Sequence, residues 1–78
     1  MQIEYTRTAL KGLRKLPLND AMAVISKLEA YAETGAGGVK KLQGVAAYRL
    51  RYRNYRAIFQ IEGNMLVVKI AHCKDIYQ

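Results

Sequence analysis

Arg49, Arg51 and Arg56 carry the chemistry-bearing spacing of this chain. They lie in the run Tyr48-Arg49-Leu50-Arg51-Tyr52-Arg53-Asn54-Tyr55-Arg56-Ala57-Ile58-Phe59, which alternates apolar and basic residues, breaks at Arg53-Asn54 and resumes in the opposite phase. A two-residue turn at the break makes the run a β-hairpin. Tyr52 then pairs with Tyr55, Leu50 with Ala57 and Tyr48 with Phe59 on an apolar face. On the other face Arg51 lies opposite Arg56, with Arg49 beside them. Like charges directly opposite each other across strands destabilise a sheet, so the arrangement calls for an anion, and the chain has few acids to supply one. Arginine's planar, permanently charged donor fork suits phosphate.

A cradle of this kind can bind RNA or help to cut it. Cleavage by the RNA's own 2′-hydroxyl needs a group to take the hydroxyl proton, a group to protonate the leaving 5′-oxygen, and cations to stabilise the phosphorane-like charge. Arginine supplies the cations but is a poor proton carrier. Tyr77, Lys74 and His72 are the candidates for handling protons; otherwise catalysis rests on positioning and electrostatics. Lys40, Lys41, Arg53 and Lys69 are candidate phosphate contacts. Each residue also has a plainer reading. Surface arginines on a sheet are often a solvated or edge-protecting face. Arg53 sits in the turn, and Lys40 and Lys41 sit in a Gly-rich loop, where charges are commonly just solvated. His72 can be a strand-end histidine bonded to a carbonyl, and Tyr77 can cap the core near a chain end.

Several elements must position these groups. Gln2 to Tyr5 reads as a short strand. Thr6 is an N-cap for a helix through about Leu16, with Ala9, Leu10, Leu13 and Leu16 on one stripe, and Pro17 marks its break. Gly12 weakens this helix. A second helix, N-capped by Asn19, carries Ala21, Val24, Ile25, Leu28, Tyr31 and Ala32 at helical spacing and ends at Thr34-Gly35. A second hairpin turn at Gly63-Asn64 pairs Ile61 with Leu66, Phe59 with Val68 and Ala57 with Ile70. Continued without interruption, that register pairs Ile58 with Lys69 and Arg56 with Ala71. It gives Lys69, Ala71 and Cys73, and beyond them Asp75 and Tyr77, the face of the arginines, and it turns His72 toward the helices. The expected fold is α+β, in the order β-α-α-β-β-β, with a helical hairpin packed on one face of a small, mainly antiparallel sheet.

The composition narrows the partners. The chain has 78 residues, 13 basic against six acidic, and a formal net charge of +7. It is the size of a single domain spanning residues 1–78. The charge favours a polyanion such as nucleic acid or an acidic protein. No apolar run approaches the length of a membrane span, so a membrane partner is not expected. The N-terminus has no basic n-region or apolar h-region, and Cys73 has no internal disulfide partner; both fit a reducing cytoplasm. One His and one Cys do not make a metal-ligand set, and no cofactor is expected.

Lys41-Leu42-Gln43-Gly44, Tyr48-Arg49-Leu50-Arg51, Asn54-Tyr55-Arg56-Ala57-Ile58-Phe59 and Ile70-Ala71-His72-Cys73-Lys74-Asp75-Ile76-Tyr77, in this order, resemble the RelE/ParE toxin superfamily of bacterial toxin–antitoxin modules. The likeness spans nearly the whole chain. It implies a ribonuclease-like toxin fold. In the RelE branch it implies metal-independent cleavage of mRNA in the ribosomal A site, leaving a 2′,3′-cyclic phosphate and a 5′-hydroxyl. The family's basic pair then maps to Arg49 and Arg51, the arginine opening the next strand to Arg56, and the C-terminal tyrosine to Tyr77. The chain departs from the pattern in three places: arginines stand where lysines are common, Cys73 stands where an arginine usually follows the histidine, and Arg53 replaces a turn glycine. The implied partners are an acidic antitoxin, the ribosome and mRNA. The ParE branch implies a gyrase inhibitor without nuclease activity instead, and a toxin remnant that binds only its antitoxin is the third reading.

Overall fold

The computed structural model describes residues 1–35 and 37–73, with the backbone alone for His72 and Cys73; Lys74 and Tyr77 lie outside the described residues. The elements run β1 (Gln2–Tyr5), α1 (Arg7–Arg14), α2 (Leu18–Thr34), β2 (Val39–Lys41), β3 (Tyr48–Tyr52), β4 (Tyr55–Glu62) and β5 (Met65–Cys73). They form an α+β structure whose sheet has the order β1-β5-β4-β3-β2, with only the β1–β5 pair parallel. The expected strand–helix–helix–meander is therefore extended by one strand. Val39–Lys41, read from sequence as loop, is an edge strand on β3.

Both helices cover one sheet face. Ala9 and Leu13 of α1 and Ala21, Val24, Leu28 and Ala32 of α2 bury against Leu50, Ala57, Phe59, Leu66, Val68 and Ala71. The tyrosines between the arginines belong to this side: Tyr48, Tyr52 and Tyr55 pack against the core, and Tyr48 stacks on Phe59 at 5.5 Å. Thr6 caps α1, its hydroxyl accepting from the Ala9 N–H at 3.2 Å. The second helix starts two residues earlier than the Asn19 cap predicts: Pro17 takes the N-cap position, and no side chain caps the end. Proline's fixed φ suits a helix start. Gly35 ends the helix in the left-handed conformation, at φ 72°.

Gly12 has a packing role that its low helix propensity conceals. A Cβ built on it would overlap the carbonyl oxygen of Ala71, so α1 lies directly on the β5 backbone. With a side chain there, α1 would have to lift off the sheet.

The β4–β5 register matches the expectation only near the turn. Ile61 pairs with Leu66 and Phe59 with Val68, but Ile58 then pairs with Ile70, Ala57 with Ala71, Arg56 with His72 and Tyr55 with Cys73. A β-bulge at Lys69 inserts one residue between the two halves, and such an insertion reverses the alternation beyond it. Ala71 is therefore a core residue at 2 % exposure and Ile70 is an exposed one at 39 %. This inverts their predicted faces. The backbone register likewise puts residue 72, not residue 73, on the side of Arg56.

Candidate functional site

The β3–β4 hairpin has the predicted register throughout: Arg49 pairs with Ile58, Arg51 with Arg56 and Tyr52 with Tyr55. Its turn is a strained version of the β4–β5 turn. Arg53 takes φ 55° where Gly63 takes φ 63° at the equivalent place. A positive φ at the first turn residue suits the twist of a two-residue hairpin and is usually given to glycine. The Arg53 guanidinium lies over the Tyr52 ring at 5.5 Å, and the Lys27 ammonium lies 5.7 Å from the same ring. At the other side of the turn, the Tyr55 hydroxyl donates to the Asp20 carboxylate in the first turn of α2 at 2.8 Å. The hairpin tip is thus tied to the helix layer through its tyrosines, which leaves the arginines on the uncovered face.

Successive registers make two basic rows on that face. Lys40 on β2 is directly across from Arg49, which is across from Ile58, which is across from Ile70. In the next row Arg51 is across from Arg56, and Arg56 is across from residue 72. Lys40, Arg49, Arg51 and Arg53 border an open groove of ≈ 730 Å³ whose rim is completed by the backbone of Gly37 and Gly38. No side chain rises from that rim, so it leaves room for an anion.

The electrostatics of this face are one-sided. Among the described residues the ion pair found is Lys69 with Glu62, at 3.4 Å, and it involves none of the arginines. The Nε of Arg56 is buried without a hydrogen-bond partner among the described residues. An unsatisfied buried donor on a charged group costs free energy until an acceptor reaches it.

The candidates from sequence separate accordingly. Arg49, Arg51, Arg56, Arg53 and Lys40 are brought together. Lys41 has the opposite parity, paired with Tyr48, and lies beside the loop of residues 42–46. Lys69 is the bulge residue and is engaged with Glu62. His72 shares the Arg56 row by backbone register, contrary to the expected parity. Lys74 and Tyr77 lie outside the described residues. Sequence reading missed the placement of Lys40: a three-residue strand that follows two glycines is too short to show period-two alternation. Among the described residues no three His, Cys, Asp or Glu side chains group to hold a metal ion. No helix among them is long and apolar enough to cross a membrane.

This geometry meets a family pattern. A family model described as the ParE toxin of the type II toxin–antitoxin system parDE matches residues 3–77. The chain belongs to the ParE toxin family. Solved structures of the wider RelE/ParE superfamily share its fold. The toxin–antitoxin complex RelBE2 from Mycobacterium tuberculosis aligns at TM-score 0.80 with 21% identity, covering 92% of this chain and 95% of that one. The RelB–RelE antitoxin–toxin complex from Methanococcus jannaschii aligns at 0.79 with 21% identity, covering 95% and 94%. The isolated E. coli RelE toxin aligns at 0.80 with 23% identity, covering 92% and 82%. No curated protein sequence matches the chain. The chain is thus a type II toxin of the RelE/ParE superfamily, with RelE structures among its structural neighbours.

Proposed function

We propose that this toxin acts as a RelE-like, ribosome-dependent mRNA endoribonuclease that inhibits translation and is held in check by an acidic antitoxin. The observation that carries the reading is the basic face, whose arginines have no ion pair among the described residues. Arg51 and Arg56 sit directly opposite each other, Arg49 and Lys40 lie in the next row, and the Nε of Arg56 is unsatisfied among the described residues. Arg49, Arg51 and Arg56 hold the scissile phosphate and stabilise the charge that grows on it in the transition state. Lys40 and Arg53 hold flanking phosphates. Tyr77 orients or activates the 2′-hydroxyl, with His72 or Lys74 assisting in proton transfer. The RNA supplies its own nucleophile, so the protein's main work is positioning and electrostatics. An acidic antitoxin segment that folds on binding would neutralise the same face; an antitoxin partner accords with the structural relatives being toxin–antitoxin complexes.

The match to the ParE toxin model favours a second reading, in which the chain inhibits DNA gyrase and cuts no RNA. Induced expression separates the two. The nuclease reading predicts primer-extension stops within translated codons, and growth arrest relieved by Arg56→Ala and by Tyr77→Phe. Intact messages together with a stabilised gyrase–DNA cleavage complex would overturn it.

A further inference from the structure

We infer that Thr6 is a positioning residue for the arginine face: by clamping the β5 bulge it determines which residues of the end of β5 share that face. Three interactions of one side chain and one of its backbone support this. The Thr6 hydroxyl lies 3.0 Å from the Val68 carbonyl oxygen and 3.0 Å from the Lys69 carbonyl oxygen, and donates to the pair. The same oxygen accepts from the Ala9 N–H at 3.2 Å, and the Thr6 N–H donates to the Val68 carbonyl at 3.0 Å. Thr6 therefore holds the residue that ends the regular ladder and the extra residue that follows it. A bulged residue is left out of strand pairing, and its backbone groups need partners elsewhere. Thr6 supplies one for Lys69.

The clamp selects between two registers. With the bulge, Arg56 pairs with His72 and Ala57 with Ala71. Without it, uninterrupted pairing from the Gly63-Asn64 turn sets Arg56 against Ala71 and Tyr55 against His72, so residue 72 passes to the helix side. A one-residue slip exchanges every position between faces. Gly12 adds a second constraint, since α1 rests on the Ala71 carbonyl and tolerates nothing larger than glycine there. The hydroxyl that starts α1 thus also determines that residue 72 joins the row of Arg51 and Arg56. The effect on RNA rests on the nuclease reading above; the effect on register does not.

The test uses Thr6→Val, which keeps the shape and removes the hydroxyl, Thr6→Ser, which restores it, and deletion of Lys69, which removes the extra residue. Deletion leaves Phe59 opposite Val68 and Ile58 opposite Ile70 in a regular ladder that needs no clamp; it loses the Lys69–Glu62 ion pair at the surface and the Lys69 carbonyl that Thr6 holds. Backbone NMR reads the cross-strand contacts, and amide exchange reads the end of β5. Wild type, Thr6→Ser and the deletion should show Arg56 opposite His72. Thr6→Val should show Tyr55 opposite His72 in part of the population, with amides 70–73 exchanging about tenfold faster while the β3–β4 contacts stay unchanged. Cleavage should fall in Thr6→Val, recover in Thr6→Ser and be insensitive to Thr6→Val in the deletion background. Should Thr6→Val fail to fold, the double variant should fold where the single one does not. Wild-type register and exchange in Thr6→Val, or a double variant no better than Thr6→Val, would overturn the inference. A shifted register with undiminished cleavage would overturn the positioning role and leave the nuclease reading standing. If wild type itself cuts no RNA, the nuclease reading fails, and the register measurements still decide the clamp.

Discussion

Arg51→Ala should move stability and RNA binding in opposite directions, which no purely structural role for Arg51 would produce. Arg51 faces Arg56 across the β3–β4 ladder with no acid paired to either among the described residues. Removing one of two like charges directly opposite in a sheet should stabilise the free protein by about 0.5 kcal/mol, raising Tm by about 2–4 °C. The same change removes a cation from the groove. If Lys40, Arg49, Arg51, Arg53 and Arg56 each neutralise one phosphate, the slope of log K against log salt for single-stranded RNA is about −3.5, and binding falls about 100-fold between about 50 and 200 mM salt. Arg51→Ala should reduce the slope by about 0.7 and weaken binding at fixed salt about tenfold, the loss of a charge-assisted hydrogen bond. Fluorescence anisotropy with a labelled single-stranded RNA, repeated over a salt series, reads both quantities; differential scanning fluorimetry reads the Tm. Lys69→Ala is the control, because Lys69 is engaged with Glu62 outside the groove. A lowered Tm in Arg51→Ala, or a slope loss no greater than that of Lys69→Ala, would refute the reasoning.

Three further outcomes follow from packing, turn geometry and burial. Gly12→Ala forces a Cβ into the Ala71 carbonyl, so it should cost about 3 kcal/mol or more, seen as a urea midpoint far below that of wild type; a near-neutral effect would mean that α1 does not rest on β5 as described. Arg53→Gly removes a non-glycine φ of 55°, which costs about 1–2 kcal/mol, and loses the stacking on Tyr52; with glycine's own entropy cost subtracted, thermal melts should show a net gain of about 0.5 kcal/mol, alongside an RNA salt slope reduced by about 0.7. The Tyr5 hydroxyl is buried without a hydrogen-bond partner among the described residues, so Tyr5→Phe should be neutral or stabilising by about 1 kcal/mol at neutral pH. Burial, and then the Glu29 carboxylate, hold the Tyr5 phenol above its usual 10.0. Its contribution is therefore complete below pH 10.0 and is lost as pH rises through the folded-state value, so unfolding between about pH 9 and pH 11 should show a decline that Tyr5→Phe lessens.

Much of the site was legible in the sequence because its signals are local. The alternation from Tyr48 to Phe59, broken once at Arg53-Asn54, determines both the register and the face of every residue in the hairpin. It put Arg51 opposite Arg56 and sent the tyrosines to the core. The stripe from Ala21 to Ala32 marked α2 for the same reason. What was not legible depends on contacts distant in sequence. The bulge at Lys69 is held by Thr6, more than sixty residues earlier, and one inserted residue leaves no periodic trace in Val67-Val68-Lys69-Ile70-Ala71. The two adjacent apolar residues Ile70 and Ala71 were the available hint that the alternation had reversed. Gly12 read as a weak point of α1 because propensity measures the isolated helix, whereas its small size is required by the carbonyl of Ala71. Lys40 read as a solvated loop charge because a three-residue edge strand is recognised by the strand it pairs with, not by its own pattern.

The most direct measurement is a titration of 15N-labelled toxin with a short single-stranded RNA carrying a 2′-deoxy residue at the cleavage position, followed by backbone chemical shifts. The basic face should respond as a block, with the largest shifts at Lys40, Arg49, Arg51 and Arg56. The exposed cations Arg7, Lys11 and Arg14 of α1, on the helix side of the sheet, should stay near their free positions. Shifts concentrated on α1, or no saturable response at all, would contradict the account.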